Sequence, residues 1–169
     1  MIVTIADFTG VYEISVNNYN QVRIQEAIDR YEGYYLKRLL GLTFASAFIA
    51  DLVDGEPVNT DYLTIFNPLD IQDDFMMWNS QGIKDILLAC IYYHYITEKT
   101  VQDSMSGAVR SDAEVAKVVT HDNAFRMAEI RWNAMVPSWE TVQKYCVDNE
   151  ATYPDFKGTT IHPKMGGLV

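Results

Sequence analysis

A chain of 169 residues, 49% of them apolar, is long enough to bury a core and too apolar to stay disordered. Its 13 bases against 23 acids leave a net charge of −10, which excludes a protein built to grip nucleic-acid phosphates, since that needs the opposite sign. Met1 opens no charged, apolar and small-residue leader, so Cys90 and Cys146 are expected as reduced, buried, small hydrophobes and secretion is not expected.

Residues 1–19 mix a short apolar run, MIVTI, with turn residues. They read as an N-terminal arm with at most a short strand or a turn of helix. A helix is expected over 20–40, because Ile24, Ile28, Tyr31, Tyr35 and Leu39 paint one stripe, with Asn18 or Asn20 as cap and Gly41 at the left-handed end. A shorter helix over 43–53 follows, capped by Thr43, with Phe44, Ala47, Phe48 and Leu52 on one side and Asp54-Gly55-Glu56-Pro57 closing it. Residues 58–79 are the least regular part. They hold a helical turn at 61–66, then Phe75-Met76-Met77-Trp78, expected as a flap packed on the core, with a partner surface as the other reading.

The stretch 80–101 organises the rest. Between Ile83 and Ile96 only Lys84, Asp85 and His94 are plainly polar, so the predicted helix is apolar on all sides and must be surrounded. It falls short of the roughly 18 apolar residues of a membrane span. Residues 102–120 read as a loop or arm. Ser111 and Glu114 have capping-box spacing, whereas Gly107, Val109, Val115, Val118 and Val119 suit an extended segment, the reading preferred here. The last helix, 121–148, carries Phe125, Ala128, Trp132, Met135, Trp139, Val142 and Cys146 at alternating spacings of three and four. Thr120 is its expected cap, and Pro137 inside it is expected to kink it without ending it. From residue 150 the pattern stops, and 150–169 reads as an extended tail. The expected architecture is all-α: a small helical bundle (20–149) around a central apolar helix, with extended N-terminal, middle and C-terminal arms.

Charge is uneven along the chain. From Leu39 to Ile83 there is no Lys, Arg or His, yet there are seven acids: Asp51, Asp54, Glu56, Asp61, Asp70, Asp73 and Asp74. They read as a solvated acidic face, or as a surface that lies near nucleic acid without adhering to it. Catalytic motifs are lacking: there is no Gly-rich phosphate loop, Gly-x-Ser-x-Gly, Cys-x-x-Cys or His-Glu-x-x-His. The strongest catalytic grouping is His121-Asp122 with His94 and Asp148, an ordering used by all-helical, metal-dependent His-Asp phosphohydrolases. A dipole-placed Asp122 and a core His94 explain the same residues without chemistry.

Several segments taken together resemble a known family. MIVTIADF precedes a helix ending YYLKRLLG, which runs into LTFASAFIADL. Then GIKDILLACIYYHYI leads through SMSGAVR to a long helix ending VQKYCVDNEATYPDF. This order, over roughly residues 1–156, resembles the head–tail connector proteins of tailed bacteriophages, also called adaptor or head-completion proteins. The resemblance implies a structural virion protein of the phage neck, made in the host bacterial cytoplasm. Such a subunit forms a homo-oligomeric ring, typically a dodecamer, that docks on the portal protein and receives the next neck or tail component. DNA passes through without specific binding, and no enzyme activity, cofactor or membrane is involved. On this reading Asp70, Asp73 and Asp74 are the channel- or partner-facing acids. Val109, Arg110, Arg23 and Arg38 are subunit-interface residues, and Arg23, Arg30, Lys37 and Arg38 are the bases that would pair with any interface acid.

Overall fold

The computed structural model describes residues 1–14, 18–73, 75–99, 103–104, 107–108 and 121–164, with side chains at 1–14, 20–73, 75–98 and 124–164. Within them the chain is mostly helical: α1 (Asn18–Leu40), α2 (Leu42–Ala50), α3 (Thr60–Phe66), α4 (Ile83–Lys99) and α5 (His121–Asp148). Three short two-stranded antiparallel ladders join them and add small sheets to the helical class that was expected. They pair β1 (Leu52–Val53) with β2 (Glu56–Pro57), β3 (Leu69–Gln72) with β4 (Met77–Ser80), and β5 (Asp103–Ser104) with β6 (Gly107–Ala108).

The first ladder has a local cause. Asp54 and Gly55 both take positive φ, 53° and 89°, which is the conformation of a two-residue hairpin turn. A segment expected to end a helix therefore reverses into a hairpin, and α2 stops at Ala50. The N-cap of α2 is Gly41, not Thr43, and Ala45 rather than Ala47 joins Phe44 and Phe48 in the interior. In the same way α1 already begins at Asn18, leaving Asn20 buried inside its first turn. Asn79 and Ser80 belong to β4, so α4 starts at Ile83.

α4 lies against both α1 and α5. Ile83, Ile86, Leu87, Ala89, Cys90 and Ile91 have no exposed surface, as an all-round apolar helix requires. The seam of α5 is buried from Ala128 to Cys146, with Phe125 half-buried at its open end. The helix runs through Pro137 without a break. No helix among the described residues is long and apolar enough to cross a membrane.

The described parts of both end segments that read as arms, 1–14 and 150–164, lie on this core. Residues 1–14 form two short 3-10 turns and bury Ile2, Val3, Phe8, Tyr12 and Ile14. One carboxylate oxygen of Glu32 on α1 accepts hydrogen bonds from the amides of Ile2 at 3.0 Å and Val3 at 2.7 Å. Tyr12 donates to Asp85 on α4 at 3.2 Å, and Lys84 pairs with Asp7 at 2.7 Å.

The C-terminal segment supplies what α1 lacks. The last carbonyls of a helix have no partner within it. Here Arg38 O accepts from the Thr159 amide at 2.7 Å, Leu40 O from the Lys157 amide at 3.0 Å, and Leu39 O from Gln143 Nε2 at 3.4 Å. The indoles of Trp139 and Trp132 donate to Thr159 O and His162 O, and Asn133 exchanges two hydrogen bonds with Lys164. Gly41, at φ 91°, admits this approach, since a Cβ there would lie 2.9 Å from the Lys157 nitrogen.

Candidate functional site: the acidic hairpin tip

The β3–β4 hairpin is held along α5. Gln81 N donates to Ser138 Oγ at 3.1 Å, the buried Thr141 hydroxyl lies 3.1 Å from Asn79 O, and Lys144 sits 5.8 Å from the Trp78 ring centre. Its loop is organised by Asp73. One carboxylate oxygen accepts from the amides of Phe75 at 3.0 Å and Met76 at 2.9 Å. The other accepts from Trp78 Nε1 at 3.0 Å, while Lys144 Nζ stands 3.8 Å away. The hydrogen bonds from Phe75, Met76 and Trp78, with help from Lys144, hold this carboxyl below its ordinary value of 3.8. The Asp73 amide donates to Met76 O at 3.2 Å and closes the turn.

What this turn presents is apolar. Phe75 is 95% exposed, Met77 70% and Met76 54%. The flap expected to pack on the core therefore buries only part of Trp78 and displays the other three residues. Asp70, exposed one strand away, is hydrogen-bonded by the Asn79 amide group.

The acids expected to face a channel or partner thus differ in kind. Asp73 is spent on its own loop, and Asp74 lies outside the described residues. Asp51 accepts from the amides of Val58 at 2.8 Å and Asn59 at 2.7 Å, which ties the exit of the β1–β2 hairpin. Asp54, Glu56 and Asp61 are exposed and make no ion pair among the described residues.

Of the expected interface residues, Arg38 is engaged within the chain. Its guanidinium reaches Thr159 Oγ1 at 3.5 Å and Thr160 O at 3.4 Å, and lies 5.8 Å from the Tyr34 ring centre. Arg30 pairs with Glu98 at 3.3 Å. Arg23 is half-buried on α1, with its charge felt at Tyr95. Val109 and Arg110 lie outside the described residues, as do the Ser111–Glu114 box and Thr120.

His94 sits in an aromatic nest. Its Nε2 is 2.6 Å from the Tyr35 hydroxyl, and its ring stacks on Tyr31 at 4.0 Å between centroids. Burial lowers its pKa from 6.5. The side chains of His121 and Asp122 lie outside the described residues. Among the described residues no three His, Cys, Asp or Glu side chains gather as metal ligands.

The sequence placed a partner surface at Phe75-Met76-Met77-Trp78 as the second reading, but the hairpin that presents it was missed. The signal was there: Asp73 two residues before Phe75, in a stretch of turn-forming acids, is the spacing of a side-chain-capped turn. Four consecutive large apolar residues masked it. Compared with family models, curated proteins and solved structures, the chain matches none of them.

Proposed function

We propose that this chain is a ring-forming structural subunit of the head–tail junction of a tailed phage. In this reading it is a small helical bundle centred on α4. It docks on a portal protein, extends the DNA channel, carries the next neck or tail component, and performs no catalysis. The observation that carries the assembly half of the proposal is the hairpin tip: Phe75, Met76 and Met77 exposed together on a loop pinned by Asp73. Contiguous apolar surface held out on an ordered loop is a mark of a contact with another molecule.

The identity of the assembly rests on the resemblance in segment order described above. The charge supports it further. Asp54, Glu56 and Asp61, repeated around a ring with no base between Leu39 and Ile83, would repel phosphates and let DNA slide without adhering. In this reading the subunit resides in the virion after synthesis in the host bacterial cytoplasm.

The test is co-assembly with the portal protein, read by electron microscopy and mass measurement. The proposal expects closed rings, twelvefold when templated, seated on one face of the portal. A chain that stays monomeric in its presence, or that hydrolyses phosphate esters in a Mn- or Fe-dependent way lost on His121→Ala, overturns it.

A further inference from the structure

The outer face of α5 breaks the usual rule for a surface helix. Its core face is Ala128, Trp132, Met135 and Trp139, and the opposite face should be polar. Instead Met127, Ile130, Ala134 and Pro137 follow one another at spacings of three, four and three, and all are exposed, Met127 43% and Ile130 44%. Arg126 flanks this stripe on one side and Arg131 on the other. Neither makes an ion pair among the described residues, and Arg131 Nε has no acceptor there. Lys164 adds a third positive charge at this end, 4.8 Å from the Trp132 ring centre. The one acid described on this part of the helix, Glu129, is buried.

The chain therefore displays two apolar surfaces with opposite charge beside them: the Phe75-Met76-Met77 tip, with the exposed Asp70 on the same hairpin, and the α5 stripe, flanked by Arg126 and the half-buried Arg131. One molecule cannot join them. The tip is anchored at Lys144, and Ile130 lies 14 residues up the same helix, about 21 Å away at 1.5 Å per residue.

We infer that the hairpin tip of one copy docks on the N-terminal half of α5 of the next copy. The contact is heterologous: each molecule gives a tip and receives one, which generates a closed ring where the rotation closes and a filament where it does not. Burial of Phe75, Met76 and Met77 against Met127 and Ile130 supplies the attraction, while the Asp70 carboxylate and the guanidiniums beside the stripe select the register. The inference rests on the proposed ring and specifies its subunit contact.

The experiment mixes Met77→Cys and Ile130→Cys chains, with and without portal protein, under mild oxidation. Cys90 and Cys146 are buried and need not be removed. The contact predicts a disulfide between the two variants that neither forms efficiently with itself. In otherwise native chains, Arg126→Glu should weaken self-association at least tenfold, and Asp70→Lys in the same chain as Arg126→Glu should recover most of that loss. Rings that form on the portal with no Met77–Ile130 cross-link, and that tolerate Met77→Glu, overturn this contact and leave the neck proposal standing. A cross-link that forms while the portal neither binds nor templates a ring supports the contact and defeats the neck proposal. Capture of the Met77→Cys position by the portal instead of by a second copy overturns the inference and makes the tip a portal-binding element.

Discussion

At the scale of single residues, burial and hydrogen bonding separate side chains that look alike in the sequence. Leu87 and Ile91 have no exposed surface, so Leu87→Ala or Ile91→Ala should cost about 2–5 kcal/mol in denaturant unfolding. A loss below about 0.5 kcal/mol would contradict the full burial of these two side chains. His94 is distinguished by charge. Burial holds its pKa below 6.5, so the unfolded chain takes up its proton first as pH falls. Stability should then drop as pH passes below 6.5 and level off below the lowered folded value. His94→Gln should flatten the difference in melting temperature between pH 7.5 and 5.5. An unchanged slope would assign that dependence to other groups.

Elements are decided by what meets their ends. α1 terminates where Lys157 and Thr159 supply the amides its last carbonyls lack, and Gly158 lets the two backbones approach. A Cβ at Gly158 would lie 2.0 Å from Leu39 O. Gly158→Ala should therefore lift the tail, cost roughly 1–3 kcal/mol as an overpacked contact does, and speed hydrogen exchange at the Lys157 and Thr159 amides. Protected amides in that variant would mean the tail is not what closes α1. The β3–β4 loop depends on Asp73 in the same way. Its carboxyl sits below 3.8 because Phe75, Met76 and Trp78 donate to it. The order it brings is present above 3.8 and lost as pH falls through the lower folded value. Asp73→Ala should raise exchange at the Phe75 and Met76 amides at neutral pH while leaving the amides of α4 protected. If the two loop amides are unaffected, the loop is held by something else.

For the whole molecule, exposed apolar surface and acidic surface make separate predictions. Phe75→Ser removes a side chain that is 95% exposed, so the stability of the isolated chain should stay within about 0.5 kcal/mol while assembly on the portal weakens. A large loss of monomer stability would show that the tip packs within its own molecule. In the proposed ring, Asp54→Asn, Glu56→Gln and Asp61→Asn together should leave assembly intact and increase DNA retention. The effect should be largest at low salt, since the Debye length is about 8 Å at physiological ionic strength. If that triple variant fails to form rings, those acids lie in a subunit contact and not in a channel.

Periodicity alone located α1, α4 and α5, because long apolar stripes repeated at three and four residues have one way to be buried. The helical turn expected at 61–66 falls within α3, and the burial of α4 was legible because no exposed face was left to it. Other features belonged to the tertiary structure. Whether residues 1–14 and 150–164 project or pack depended on distant partners: Glu32 for the first amides, and the open carbonyls of α1 with the indoles of Trp132 and Trp139 for the tail. The reversal at Asp54-Gly55 was a local signal, hidden by the helical pattern running into it. The apolar tip could not be read from composition, because four large hydrophobes in a row predict burial by transfer free energy alone. The Asp73 carboxylate, turned onto its own loop, and the ladder that pairs Met77 with Gln72 hold three of them in water. Opposite charge beside that tip and beside the stripe on α5 becomes visible once α5 has a buried face and an outer one, because a helix acquires sides only when something packs against it.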